Sequence, residues 1–331
     1  MRRNLGIGQA RDRAVRAGLV LATLAACAWT GAARAVTFTQ FTSVNLGGDD
    51  APCWSTDGGA VFYSSRATGF PYIFRKNVGD PISSSGTRLT SGTTDEYQVT
   101  ASSDGAYVMI CEGDSLSSRH LWRCPATGGA PLTKVTYGPY YYIDPDWYGS
   151  SPGLVAFATN RGGAGYQIWT LVPNGTLAAT TFTPVTGPGF NDFHPSFSPT
   201  GQQIVFASNR SGGSQLFVST WNGSSWGAPA QLTSGGGTKA NPCWSPNGLH
   251  VAYELTSGGN AELWVIDSNG ANARLVTSTG TYDARPCWSP DGNSLAFVSD
   301  RSGAKYIWLA GDMVTPALSQ TWGKLKDRYR R

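Results

Sequence analysis

Histidine is nearly missing from this 331-residue chain: there are three, His120, His194 and His250. Charge is sparse too, since Asp, Glu, Lys and Arg together make up 14% of the residues. No long stretch carries the 3.6-residue apolar spacing of an amphipathic helix. Each shortage excludes something. A zinc or manganese centre built on several histidines lacks its ligands, so no metal and no cofactor are expected. A helical architecture lacks its helices. What is plentiful is glycine, with 42 residues, and the aromatics tryptophan and tyrosine, with 12 and 14. That mixture suits an all-β protein with many tight turns.

The first 35 residues read as a secretory signal. A basic leader precedes an apolar run from about Ala17 to Trp29, too short to span a bilayer stably, and a small-x-small end at Ala33-Arg34-Ala35. The expected location is periplasmic or secreted, with no transmembrane segment in the mature chain. Leu24-Ala25-Ala26-Cys27 also has the form of a lipoprotein box, which makes lipidation of Cys27 the competing fate; the Arg2-Arg3 pair is a weaker twin-arginine signal. Residues 1–35 hold six arginines and one aspartate, leaving 19 basic and 20 acidic residues beyond them. Five of those bases sit in the tail Lys324–Arg331 of a C-terminal extension, residues 311–331. The remaining body carries no basic excess, which argues against nucleic acid as a partner.

Six cysteines in an exported chain point toward disulfides. With Cys27 in the signal, an odd set remains: Cys53, Cys111, Cys124, Cys243 and Cys287. A monomer is expected, and it then keeps at least one free thiol. Cys111 and Cys124 fall on neighbouring strands of one hairpin and are the candidate pair, although their register does not place them directly opposite.

The chain repeats itself. Aligning on Pro-x-(Trp/Phe) gives Pro52-Cys53-Trp54, Pro145-Asp146-Trp147, Pro195-Ser196-Phe197, Pro242-Cys243-Trp244 and Pro286-Cys287-Trp288, with a degenerate copy at Gln98 to Gly105. The period of about 44 to 50 residues suits a four-stranded propeller blade. Within a unit, Pro-x-Trp-Ser forms the first strand and an Asp-Gly or Asn-Gly turn leads to the second. A Ser-Gly loop leads to the third, such as "YIWL". The fourth ends in Leu89-Thr90, Leu132-Thr133, Val185-Thr186, Leu232-Thr233 and Val276-Thr277. Five such ends serve six copies. The sixth stands at the other end of the chain, where Phe41-Thr42-Ser43 precedes the first copy. The expected fold over residues 36–310 is therefore an all-β, six-bladed β-propeller of four-stranded blades, closed by the N-terminal strand completing the last blade.

The unit "RPCWSPDGNSLAFVSDRSGAKYIWL" resembles the TolB-type, WD-like propeller repeat, with its Pro-x-Trp-Ser-Pro-Asp-Gly segment, apolar strand and Ser-Asp-Arg-x-Gly loop. The resemblance is strongest in the fourth to sixth copies and weakest in the second. TolB places an α/β domain before its propeller, whereas here about ten residues separate the signal from the first blade, so a propeller alone is expected. The resemblance also implies a face that binds an envelope protein or peptide, by analogy with TolB's grip on a peptidoglycan-associated lipoprotein.

Catalytic signals are thin. Gly223-Ser224-Ser225-Trp226-Gly227 fits G-x-S-x-G, but it lies between strands with no helix to form a nucleophile elbow. The tryptophans of first strands (Trp54, Trp147, Trp244, Trp288) and third strands (Trp122, Trp169, Trp264, Trp308) read as core between blades, leaving Trp221, Trp226 and Trp322 for the surface. Binding is instead expected at one mouth of the central channel, where loops between blades carry Asp49, Asp50, Asp95, Glu96, Asp144, Asp192, His194, Lys239, Asn241, Asp283 and Arg285. Arg66, Arg161, Arg210 and Arg301 come to the same face from loops between second and third strands, and the run Tyr137, Tyr140, Tyr141 and Tyr142 enters there too. An acid and an arginine once per blade also fits ion pairing between blades. The expected function is a non-catalytic exported scaffold for a protein or peptide, possible lipoproteins included. The alternative is a carbohydrate- or small-ligand-binding propeller, or a lyase-like enzyme acting on polysaccharide. The repeated cysteines read as small buried thiols that pack.

Overall fold

In the computed structural model the described residues are 36–313, except 44–47, 92–93, 116–117, 151, 174–180 and 278–279. The leader with Cys27 and the tail with Trp322 lie outside them. Six four-stranded antiparallel sheets follow one another, each in the order first, second, third, fourth strand from the axis outward. The inner strands are Asp49–Trp54, Glu96–Ala101, Tyr142–Tyr148, Asp192–Phe197, Thr238–Trp244 and Asp283–Trp288. The protein is an all-β six-bladed propeller. In the last blade the outermost strand is the N-terminal Thr37–Gln40, which pairs antiparallel with Tyr306–Gly311 through Thr37 opposite Gly311 and Gln40 opposite Trp308. The ring thus closes between the two ends of the propeller, and the last blade keeps no missing strand.

Two repeated side chains shape the blades, the serine in all but the third, where Tyr148 stands in its place, and the threonine in all six. After the inner strand a serine hydroxyl donates to the acid or amide two residues on, as Ser55 to Asp57 at 2.6 Å, Ser245 to Asn247 at 2.7 Å and Ser289 to Asp291 at 2.5 Å. The glycine that follows, Gly58, Gly248 or Gly292, turns the chain at φ 71–72°. After the outer strand a threonine hydroxyl accepts the amide of the third strand: Thr90 from Ile73, Thr136 from Leu121, Thr186 from Ile168, Thr233 from Leu216, Thr277 from Leu263 and Thr42 from Ile307. In the second blade this residue is Thr136, not the expected Thr133, which lies within the short outer strand Thr133–Lys134.

The core is a stack of six apolar layers among the described residues, one at each blade-to-blade interface. The inner-strand aromatic of each blade enters the layer shared with the blade before it: Trp147 with Met109 and Leu121, Phe197 with Ala156 and Ile168, Trp244 with Val205 and Leu216, Trp288 with Ala252 and Leu263. Trp54 closes the circle against Ala296, Val298 and Ile307 of the last blade. The layer between the first and second blades has no such aromatic, because Ala101 stands in its place. Sheets packed this way bury large aromatic faces at about 25 cal/mol per Å².

Candidate functional site

Each inner strand carries one extra residue. Asp50 pairs with Ser64 and Cys53 with Phe62, so two residues oppose one, and the same slip recurs between Ile143 and Asp146, Phe193 and Ser196, Ala240 and Cys243, and Ala284 and Cys287. In the second blade it falls between Tyr97 and Val99. The residue at the bulge adopts a left-handed backbone in all six blades: Ala51, Gln98, Asp144, His194, Asn241 and Arg285, with φ between 46 and 54°. Five of them precede a proline, which normally holds its predecessor extended. The proline has no N–H to lose from the ladder, so it tolerates the bulge. Non-glycine residues in this region are uncommon, and a sixfold ring of them marks a place where backbone strain is retained to aim side chains.

Those six residues and the six that follow them, Pro52, Val99, Pro145, Pro195, Pro242 and Pro286, line one axial cavity of about 120 Å³. Around it the polar groups hold one another. Gln98 donates to the Asp144 carboxylate and accepts the Asp144 amide at 3.0 Å. The other Asp144 oxygen accepts the His194 amide at 3.1 Å and lies 3.7 Å from its Nε2. Asn241 donates to Glu254 at 2.8 Å, and Arg285 Nε lies 3.0 Å from Asp50. Burial works against the Arg285 charge, but the carboxylates of Asp50, Asp144 and Glu254 outweigh it and raise its pKa. The cavity lining therefore holds one carboxylate, Asp144, beside one guanidinium and one imidazole, with the carboxylates of Asp50 and Glu254 behind it around Arg285.

The expected mouth residues divide sharply. Asp144, His194, Asn241 and Arg285 line the cavity, and Asp50 joins them through its pair with Arg285. Asp49, Glu96, Tyr142, Asp192, Lys239 and Asp283, two residues earlier in each strand, are instead buried inside the blades. Arg210 grips both oxygens of Asp192 at 2.8 Å, and Arg301 reaches Asp283 at 3.0 Å. These pairs lie within a blade, not between blades, because each arginine follows the second strand whose last residue, Ser208 or Ser299, is opposite the acid. The alternating ring of open acids and arginines is thus replaced by buried pairs. Lys239 turns its ammonium to the carbonyls of Gly235 and Gly236. The Tyr142 hydroxyl donates to the Tyr137 carbonyl at 2.9 Å, so of the tyrosine run only Tyr137 is well exposed. Arg161 lies over the Phe182 ring at 4.3 Å, while the exposed Arg66 donates to the Tyr97 hydroxyl and lies 3.9 Å from Asp95.

Below the prolines lies a second ring, Cys53, Thr100, Asp146, Ser196, Cys243 and Cys287. Each side chain accepts the amide of the next blade's inner strand: Thr100 from Trp147 at 3.1 Å, Asp146 from Phe197 at 2.7 Å, Ser196 from Trp244 at 3.2 Å and Cys243 from Trp288 at 3.4 Å. Cys287 accepts from Trp54 and Cys53 from Ala101, which completes the circle. The thiols of Cys53 and Cys243 flank Cys287, and burial pushes the Asp146 carboxyl up to about 7. The repeated cysteines are thus stitches between blades as well as packing atoms. Cys111 and Cys124 are free: Cys111 is opposite Leu121 and Cys124 opposite Val108, and they enter the apolar layers on opposite faces of the second blade. Burial pushes both thiols up to about 12. The expected disulfide is excluded by that geometry, since one sheet separates the two sulfurs.

Sequence reasoning passed over Gln98, Glu254 and Asp146. Gln98 and Asp146 were detectable from the alignment alone, as the residues before and after the position of the repeated proline. Glu254 was not, because it comes from a second strand. The segment Gly223–Gly227 forms a surface turn in which the amides of Ser224 and Ser225 bond to Asn222, with Trp221 and Trp226 edge to face at 5.5 Å; it is no nucleophile elbow.

Residues 227–315 match the TolB beta propeller domain. A sequence relative in Agrobacterium fabrum, an uncharacterized protein, is 27% identical over 178 residues; the match spans 53% of this chain and 56%, about half, of that protein. Among solved structures, one described as a TolB from Agrobacterium tumefaciens superposes with a TM-score of 0.56 at 20% identity, covering 81% of this chain and 91% of that one. An oligogalacturonate lyase from Vibrio parahaemolyticus superposes equally well, with a TM-score of 0.56 at 12% identity over 90% of this chain and 98% of that one. At these identities the superpositions establish the fold, which scaffolds and enzymes share.

Proposed function

We propose that this TolB-like propeller is an exported, non-catalytic binding module, periplasmic or secreted, that engages a protein or peptide at the channel mouth. The observation that carries this reading is the ring of left-handed residues, which turns Gln98, Asp144, His194, Asn241 and Arg285 onto one cavity. Its volume of about 120 Å³ admits the end of one side chain and is too small for an oligosaccharide. With Asp144 in its lining and the further carboxylates of Asp50 and Glu254 behind it exceeding the single Arg285 charge, it favours a partner's basic side chain. No helix among the described residues is long and apolar enough to cross a membrane.

The test is capture of envelope proteins by the wild type and by an Asp144→Asn/Arg285→Ala variant of matched thermal stability. Loss of a captured partner from the variant is the expected result, and identical partner sets would overturn the mouth as the binding site. Substitutions at Asp192 or Asp283 are unsuitable for this purpose, because they break buried ion pairs.

A second reading rests on one feature of the same face. Tyr141, Tyr166 and Phe193 form a half-buried aromatic wall beside His194, with ring centroids 6.5 Å and 4.8 Å apart. Such a wall suits stacking against a sugar ring, as in a carbohydrate-binding or polysaccharide-active propeller. A glycan array separates the two readings: wild-type binding abolished by Tyr166→Ala favours sugar.

A further inference from the structure

The inner-strand position that follows the stitching ring is aromatic in five blades, namely Trp54, Trp147, Phe197, Trp244 and Trp288, and is Ala101 in the second. All five aromatics are buried in the layer shared with the preceding blade. Removing an indole from such a position leaves space unless the neighbours collapse. Here they have not collapsed. A cavity of about 430 Å³ opens between the first and second blades, lined by Phe62, Leu89, Ala101 and Ala126. It lies at the end of the blades marked by the Ser55 and Asp104 turns, away from the axial mouth.

We propose that the gap left at Ala101 is a binding site for a small aromatic molecule with a ring of indole or phenyl size. The molecule itself supplies the precedent, since in the equivalent layers a covalently attached ring fills the same position against the same kinds of neighbour. The floor is apolar: Phe62, Leu89 and Ala126 are all buried. The rim is polar, with Arg75, Asp57 and Asp104 around the opening. Arg75 is anchored by its bond to Asn77 at 2.6 Å, and Asp57 by bonds from Ser55 at 2.6 Å and the Gly59 amide at 2.9 Å. An apolar floor flanked by hydroxyls such as those of Thr56, Thr87 and Thr127 and by charges of both signs suits a ring that carries polar substituents, the class that includes aromatic amino acids. The volume falls in the range of small-molecule sites, several times that of the axial cavity. This site is independent of the mouth and of the partner proposed for it.

The test uses indole and L-tryptophan as probes on the full chain, with binding followed by saturation-transfer NMR and calorimetry. Saturable binding of at least one probe by the wild type is expected. Ala101→Trp fills the gap from within and should weaken that binding at least tenfold. Ala101→Phe should do the same and guards against overpacking by the larger ring, since phenylalanine already serves at Phe197. Both variants should melt at or above the wild-type temperature. Absence of saturable binding of either probe overturns the proposal. So does binding that is undiminished in folded Ala101→Trp and Ala101→Phe, because the ligand would then sit elsewhere.

Discussion

The second and sixth blades are built on one plan, with the same bulge, stitch and threonine cap, but at three inner-strand positions the second departs from what the sixth keeps. The sixth has Pro286 after its left-handed residue, Trp288 against the preceding blade, and Asp283 paired with Arg301. The second has Val99 for the proline, Ala101 for the tryptophan and Glu96 for the aspartate. Among the described residues, no arginine of its own blade grips Glu96, and the one whose charge acts on it, Arg88, belongs to the first blade. Glu96 leans instead on the first blade, accepting from the Thr90 hydroxyl and the Ile73 amide, and its other oxygen finds no donor among the described residues. Yet both sheets hold the same register to the same neighbours. A repeat fold distributes its stability over many equivalent interfaces, so one blade can depart from the pattern without loss of the ring, and its departures are where a new property is found.

The sharpest way to break the comparison is to remove the sixth blade's buried charge pair. Asp283 and Arg301 have side chains 1% and 6% exposed, so Asp283→Ala leaves a guanidinium without its partner in the interior. A loss of about 3–5 kcal/mol in urea unfolding is expected. Replacing Asp283 and Arg301 together should cost less than the single change, which a double-mutant cycle reads directly.

The second blade should respond in the opposite direction. Burial raises the Glu96 carboxyl to about 7, against an ordinary value of 4.5. The folded protein therefore holds this proton at a pH where the unfolded chain has released it. The group's contribution is fully present below pH 4.5 and is lost as pH rises through about 7. Glu96→Gln keeps an acceptor for Thr90 and removes the titration. It should leave stability nearly unchanged at pH 4.5 and raise it by about 3 kcal/mol at pH 8 relative to the wild type, as measured by paired denaturation curves. A variant whose advantage does not grow with pH would contradict the buried, proton-holding state.

The smallest effect is expected two residues beyond Asp283, at the mouth. The Arg285 side chain is 30% exposed and its partner Asp50 is 44% exposed. Arg285→Ala should change stability by no more than about 1 kcal/mol. A loss comparable to that of Asp283→Ala would mean that the mouth ring is structural and not poised for a partner. Three residues in one short strand, Asp283, Arg285 and Cys287, thus hold a blade together, face the axis, and stitch to the next blade. Their roles are set by position along the bulged strand more than by side-chain type.

Much of this was legible in the amino-acid order. A period of inner-strand prolines, Ser-x-Asp-Gly turns and outer-strand threonines is enough to count six blades and to place Phe41-Thr42 as the missing edge, because each signature answers a local requirement of backbone or turn. The order of residues also carried the position of Gln98 and Asp146 and the vacancy at Ala101. What it could not carry was the direction in which each side chain points. The left-handed bulge shifts the alternation of each inner strand by one residue, which sends Asp283 inward and Arg285 to the axis. It could not say that Cys111 and Cys124 lie on opposite faces of one sheet, nor that Glu254 reaches Asn241 from a neighbouring strand. Nor could it say whether the space at Ala101 is closed or open, since collapse depends on how far packed sheets can move. Local chemistry thus wrote the architecture into the sequence, whereas the facing of each charge and the cavity between the first two blades depend on contacts between residues far apart in the chain.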